Sequence, residues 1–459
     1  MAQYDTIVIG SGPGGYVAAI RAAQLGLKTL VIEKAVVGGR CPTVACIPAK
    51  VVLRSADILT EARDAGDFGL KIENIEVDFG GIADRREKVI GQLTGGVAQL
   101  LKKNEIEYLE GEASLNADGG VTVDGETHTA SKGVLLATGS VRRSIPGVEY
   151  GGRVIGTEEA WAFNELPGSI AVVGAGASGT EIASAYARLG SKVQLFEFLD
   201  RVLPGEDVDI SRVANREFKK QDIEVHVSTK VADVETSDSG VTFSFQKGED
   251  EKQQGQADWL IIATGRGPDV EALGLDAAGV KLDDKGLIAV DGRLRTSAKG
   301  IWAIGDLVPG PALAHKASDE GVVAAEDIAG QKTHPISYVD IPRATFCKPN
   351  VASFGLTEAQ AKEQGYDVVV GKVPYGSVGG GTVYGEGGTV KIIGDKKYGE
   401  LLGGHIVGAK ATEMIQELVN VKALEGGYAE VARSVHGHPT LSEAVLEAAR
   451  AADGWLIHG

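Results

Sequence analysis

A pattern that occurs twice along the chain constrains its fold more than any other feature. A β-rich run at residues 4–9 leads into Gly10-Ser11-Gly12-Pro13-Gly14-Gly15. Helical spacing of Ala18, Ala19, Ala22 and Leu25 follows, and a second run, residues 29–32, ends at Glu33. Residues 170–173 lead in the same way into Gly174-Ala175-Gly176-Ala177-Ser178-Gly179, then a helix through Tyr186 and a strand at 193–196 ending at Glu197. From first glycine to acid is 23 positions in both copies. Such a unit is a dinucleotide fingerprint in its required context. The first glycine makes the turn, the second admits the pyrophosphate, the third lets helix pack on strand, and the acid accepts from ribose hydroxyls. The helix N-terminus then points its dipole at the phosphates. Each copy is followed by a strand ending in the same tripeptide, Ala137-Thr138-Gly139 and Ala263-Thr264-Gly265. The duplication implies two dinucleotide-binding domains, one for a tightly held cofactor and one for an exchanging one. The alternative is one working site and an idle copy.

Just past the first unit, VVGGRCPTVACIPAK at residues 36–50 holds two of the three cysteines, Cys41 and Cys46. Five residues apart on a regular helix their Cα atoms would be roughly 8–9 Å apart, whereas a disulfide needs about 4.4–6.8 Å. A bridge would therefore require a break in the helix, and Pro42 and Pro48 suit one. A strained disulfide beside a cofactor is a redox device rather than a staple. Two unrelated buried thiols are the plainer reading. The third cysteine, Cys347, reads as an ordinary thiol.

At 459 residues the chain exceeds one core. The remaining pattern gives a first nucleotide domain at 1–148 and 268–334, a second at 149–267, and an α+β unit from 335 to 459. The last of these takes strands at 337–346, 368–375 and 389–395 and helices near 412–424 and 442–452. The fold class expected is α/β, with two Rossmann-like domains and a C-terminal α+β domain, which the resemblance described next makes the dimerisation domain. A net charge of −17 argues against nucleic acid or an anionic membrane as partner. No apolar stretch is long enough for a membrane span. The N-terminus runs directly into a strand, so no secretory signal is expected and the cytoplasm is the default compartment. No metal-ligand set is evident.

These residues together resemble the pyridine-nucleotide disulfide oxidoreductases, the group of dihydrolipoamide dehydrogenase, glutathione reductase and mercuric reductase. The resemblance runs end to end. It rests on the two fingerprints, the Cys41/Cys46 pair with Ile47-Pro48-x-Lys50, both Ala-Thr-Gly strands, Ile304-Gly305-Asp306, and His436-Gly437-His438-Pro439-Thr440 with Glu443. LAHKASDEG at 313–321 and the C-terminal HGHPTLSEAVLEAA favour the lipoamide dehydrogenases within the group. The resemblance implies FAD contacts at Gly10, Gly12, Gly14, Gly15, Glu33, Lys34, Gly39, Arg40, Gly111, Ala113, Ala137, Thr138, Gly139, Gly305, Asp306, Leu313, Ala314 and His315. It implies NAD contacts at Gly174, Gly176, Gly179, Glu197 and Gly265, and Glu197 itself favours NAD because a carboxylate repels a 2′-phosphate.

For catalysis the resemblance implies Cys46 as the thiolate beside the flavin and Cys41 as the thiol that exchanges with substrate. Lys50, paired with Glu181, would stabilise charge on the reduced ring. His438, oriented by Glu443, would move the thiol proton from the partner subunit of a homodimer. The substrate implied is dihydrolipoamide, free or on a lipoyl domain of a multienzyme complex. A related reductase of another small disulfide, a quinone or a metal ion is the second reading, and a flavin-loaded binding or scaffold protein the third. The usual motif GGTCxxxGCIPSK is altered here by Arg40, Pro42, Ala45 and Ala49. Arg40 is expected either at the FAD pyrophosphate or beside the thiols.

Overall fold

A computed structural model describes residues 3–459. The chain divides into two compact units, one of residues 1–51, 83–143 and 265–338, the other of residues 52–82, 144–264 and 339–459. The first unit is built on a parallel sheet with strands in the order Glu107–Glu110, Thr29–Glu33, Gln3–Ile9, Glu126–Leu136 and Ile301–Ala303. Away from the edge strand Glu107–Glu110 and the polar start of Glu126–Leu136, its strands are apolar on both faces, as a doubly covered parallel sheet demands. Ile7, Ile9, Leu30, Ile32, Val134 and Leu136 enter one core. The alternate residues Val8, Val31 and Leu135 enter the other, against Ala18, Ala19 and Ala22 of helix Pro13–Gln24. A hairpin pairs Val121–Val123 antiparallel with the start of Glu126–Leu136.

The second unit repeats this order. Glu224–His226, Lys192–Phe196, Ser169–Val173, Trp259–Ile262 and Val154–Gly156 form a parallel sheet in which the Ala-Thr-Gly strand again lies beside the first strand. It also contains a five-stranded antiparallel sheet, in the order Arg343–Thr345, Val351–Gly355, Glu400–Val407, Thr389–Asp395 and Val368–Pro374. One face of that sheet packs on helices Ala411–Ala423 and Glu443–Ala452 through Val390, Ile392, Ile406, Leu418, Val445 and Ala449. The strand expected over 337–346 is shorter than the sequence suggests. A 3₁₀ turn, Tyr338–Asp340, comes first, and Pro342, which has no N–H to give a ladder, precedes Arg343–Thr345.

The duplication extends to the atoms of the turns. Gly10 has φ +100° and Gly174 φ +103°, left-handed conformations that glycine adopts without strain. A Cβ on Gly10 would lie 2.4 Å from the Ala137 carbonyl oxygen, and one on Gly174 2.7 Å from that of Ala263. A Cβ on Gly15 or Gly179 would lie 1.9 or 1.8 Å from the oxygen of Gly10 or Gly174. Gly12 and Gly176 are different, because a Cβ on either meets nothing within 4 Å. The outer glycines are thus required by packing and the middle ones by whatever fills the space in front of them. Gly179→Ala should therefore cost about 1–3 kcal/mol of stability, while Gly176→Ala should change it by less than about 0.5 kcal/mol and still weaken dinucleotide binding. Urea unfolding beside equilibrium nucleotide binding checks this, and equal stability losses would contradict it.

Candidate active site

The segment carrying the cysteines is pinned to the first glycine turn by backbone fit. Gly38 and Gly39 have φ +95° and +67°. A Cβ on Gly39 would lie 2.7 Å from the Gly12 Cα, so the two chains touch there and only glycine fits. The Gly38 N–H donates to the Ser11 hydroxyl at 3.0 Å. One helical turn, Arg40–Thr43, follows and stops at Val44, where the amides of both Val44 and Ala45 donate to the Arg40 carbonyl. Helix Cys46–Arg63 then starts afresh. Pro42 and Pro48 occupy early helical positions, where a missing N–H costs nothing. The break expected from the spacing is therefore real, and it brings the Cys41 and Cys46 side chains into hydrogen-bond contact. Ala45 has no left-handed φ, so the alanine there is accommodated without strain.

The hydrogen bond with Cys46, and after it burial, pushes the Cys41 pKa far up, while Lys50 and Arg40 pull it down.

The acids closing the two fingerprints are held alike. Glu33 Oε2 accepts from the Ser11 amide at 2.8 Å and its hydroxyl at 2.7 Å, and Oε1 accepts from the Ala35 amide at 3.0 Å. Glu197 accepts from the Ala175 and Leu199 amides, each at 2.8 Å. Each carboxylate keeps lone pairs for ribose hydroxyls. With open space at Gly12 and a helix N-terminus behind it, the first turn fits the pyrophosphate of FAD.

The other expected FAD residues of the first unit surround the same sheet ends. Gly111 donates to the Glu33 carbonyl, and Ala113 begins the buried strand Ala113–Leu115. Lys34 pairs with Asp269 at 2.9 Å and Glu112 at 3.7 Å. Gly139, φ +79°, faces open space, and the Thr138 hydroxyl donates to the Asp269 carbonyl. Asp306 accepts from Ser140 at 2.5 Å, and Ser140 is held by Arg266. Leu313 caps helix Ala314–Ile328, on which His315 is exposed.

Three residues that sequence reasoning missed hold the Gly305–Asp306 turn. Glu320 accepts from the Gly305 amide at 2.7 Å, and Lys316 donates to the Gly305 carbonyl at 2.8 Å. Lys316 and Glu320 are paired at 3.1 Å with both side chains fully buried, and Tyr338 donates to Glu320. The i,i+4 spacing of Lys316 and Glu320 on one helix was the available signal.

Gly265, where the first unit resumes, has φ +129°. In the second unit Glu181 accepts from the Phe346 amide at 2.8 Å. His438 Nδ1 lies 2.8 Å from Glu443 Oε1, and since a carboxylate only accepts, Nδ1 carries the proton. Burial opposes the Glu443 charge, but His438 and the Thr440 amide hold its carboxyl below the usual range. The imidazole itself is 73% exposed. His436 is different: its ring pairs with Glu417, and that bond pushes its pKa up against burial. Cys347 is fully buried with its thiol pKa raised by burial, an inert core thiol.

Residues 4–321 match the family described as pyridine nucleotide-disulphide oxidoreductase, and residues 341–449 match its dimerisation domain. The chain belongs to this family. The oxidoreductase is FAD-dependent and works between NAD(H) and a thiol/disulfide couple. It is 42% identical to a dihydrolipoyl dehydrogenase of Bacillus subtilis, covering 99% of this chain and 98% of that protein. It is 44% identical to one of Chlorobaculum tepidum, covering 98% and 97%. Its fold matches the solved structure of LpdA from Mycobacterium tuberculosis with a TM-score of 0.89 at 26% identity, covering 98% of this chain and 99% of that one. The HOCl-induced flavoprotein disulfide reductase RclA from Escherichia coli matches at 0.84 and 26%, covering 96% and 98%. His438 and Glu443 both fall within the oxidoreductase's dimerisation domain. Among the described residues no helix is long and apolar enough to cross a membrane.

Because the Cys46 hydrogen bond is the largest influence on Cys41, Cys46→Ser should move Cys41 ionisation down toward the ordinary value of about 8.5. The pH dependence of Cys41 alkylation by iodoacetamide, mapped by mass spectrometry, reads this directly. An unmoved profile would show that burial alone sets the thiol.

Proposed function

We propose that this oxidoreductase is a dihydrolipoamide dehydrogenase, carrying electrons from dihydrolipoamide to NAD. The observation that carries the reading is the helix break at Val44–Ala45, which turns Cys41 and Cys46 into a contacting pair beside the glycine turn. Full-length likeness to dihydrolipoyl dehydrogenases supports the choice of substrate. In this reading residues 1–148 and 268–334 form the FAD domain, 149–267 the NAD domain and 335–459 the homodimer interface. FAD supplies a two-electron relay between the dithiol and NAD, held by the first glycine turn, Glu33 and Asp306, with Lys50 near its reactive edge. The second turn and Glu197 hold NAD.

The thiol chemistry then follows from the chain's own groups. A substrate thiolate attacks Cys41 Sγ of the oxidised pair, and the Cys41–Cys46 bond breaks with its electron pair left on Cys46. The second substrate sulfur attacks the first, lipoamide leaves as its cyclic disulfide, and Cys41 departs as thiolate and takes up a proton. His438 of a second copy accepts the first attacking thiol's proton at Nε2 and passes it to solvent, then accepts the second and returns it to the departing Cys41 thiolate, while Glu443 fixes Nδ1 as the protonated nitrogen. The exposure of His438 in the single chain suits a residue that works across a homodimer interface. A lipoyl domain in the cytoplasm is the partner this implies. A reductase of a different small disulfide is the second reading, favoured by the cation Arg40 beside the thiols and by the likeness to RclA.

Rates with dihydrolipoamide plus NAD, set against a panel of small disulfides with NADH, separate the two. Dihydrolipoamide should win, and His438→Ala should lower that rate by about 10²–10⁴ while sparing artificial acceptors reduced directly by the flavin. Faster reduction of another disulfide in the panel would overturn the assignment.

A further inference from the structure

The face of the antiparallel sheet opposite its helices carries one unbroken polar row. Arg343 is opposite Ser353, Ser353 opposite His405, His405 opposite Lys391, and Lys391 opposite Lys372. Directly opposed residues share a face, so the row crosses all five strands. Ser353, His405 and Lys391 are fully buried. Burial lowers the His405 pKa, and its Nε2 is bonded to the Leu356 carbonyl.

Against this row lies the acidic start of helix Val208–Lys220. Arg343 pairs with Glu206 at 3.3 Å, and Lys391 with Asp207 at 2.8 Å and Asp209 at 3.0 Å. Lys372 reaches Asp209 at 3.3 Å, and Glu358 completes the shell of Lys391 at 2.7 Å. Asp207 also caps the helix, accepting from the Asp209 amide at 3.0 Å. Neither the dinucleotide fingerprint nor the thiol chemistry uses any of these groups.

The same helix start is wired to the nicotinamide turn. The Glu206 amide donates to the Leu203 carbonyl at 2.9 Å, which also accepts from the Ser211 hydroxyl. The Leu203 amide donates at 2.8 Å to the carbonyl of Ala175, inside the second fingerprint. The Ala175 amide is the one that binds Glu197. Leu203 is held at φ +49°, a conformation a leucine adopts only when its surroundings fix it.

We infer that the row Arg343–His405–Lys391–Lys372 is a positioning device for nicotinamide-nucleotide binding, with Lys391 as its centre. Without the ammonium, the buried Asp207 would lose its counter-charge, while Asp209, left to Lys372, and Glu358, left to Lys362, would still face it. The end of helix Val208–Lys220 would lift from the sheet, and Leu203 would release Ala175. The inference rests on the proposal that the second fingerprint binds NAD, but it needs no particular disulfide substrate.

The test is NAD binding to the FAD-loaded protein by calorimetry, with no thiol or disulfide present. Lys391→Met should raise the NAD dissociation constant about tenfold and speed hydrogen exchange at the Leu203 amide, with FAD content unchanged. Should Lys391→Met fail to fold, Lys372→Met, which removes only the half-exposed contact to Asp209, should raise the constant about two- to threefold. A variant that melts at lower temperature yet binds NAD as tightly as the parent would overturn the inference and leave the row a purely structural contact. Failure of the parent to oxidise dihydrolipoamide would sink the substrate assignment and leave this result standing.

Discussion

The Ser11 hydroxyl joins the three segments on which the redox site depends. It donates to Glu33 at the end of the second strand and accepts from the Gly38 amide at the start of the cysteine segment. Both contacts are buried, so losing them would leave a carboxylate and an amide short of partners at a cost of about 1–3 kcal/mol each. Gly39 lies against Gly12 through the same junction. A nucleotide turn and a redox pair are thus one piece of backbone, and neither can shift without the other.

Comparison of the two fingerprints shows how one unit was fitted to two tasks. Both close on a carboxylate that binds the amide inside the turn and a second amide two residues beyond itself. The first copy has Ser11 where the second has Ala175, and the difference in side chain matches the difference in attachment. The serine hydroxyl gathers the cysteine segment, while Ala175 offers only its carbonyl, which takes the Leu203 amide and so the acidic start of the next helix. Identical nucleotide geometry is anchored on one side to chemistry and on the other to an electrostatic contact with the antiparallel sheet.

Much of this was legible in the chain because glycine, proline and cysteine act locally. The turns, the order of strands around them and the helix break between Cys41 and Cys46 follow from residues whose conformational limits are strong. What escaped depends on partners distant in sequence. Strand Glu400–Val407 is central to its sheet, yet Gly403 and Gly404 weaken its strand signal. A Cβ on Gly403 would lie 2.2 Å from the Leu356 oxygen, so the glycine serves close packing that no local pattern reports. Lys316, Glu320 and Lys391 read as surface charges in sequence and are fully buried in the fold, each paired with groups that only tertiary structure brings near.

The central claim is that Cys41 and Cys46 store the electron pair exchanged with NAD. Counting thiols tests it without any disulfide substrate. The air-oxidised, FAD-loaded protein, denatured and alkylated anaerobically, should show Cys347 as the single modifiable cysteine. After one equivalent of NADH per subunit, Cys41 and Cys46 should both become alkylated, with Cys347 unchanged. Consumption of NADH with no new thiol at Cys41 and Cys46 would contradict the claim, because the electrons would then rest elsewhere.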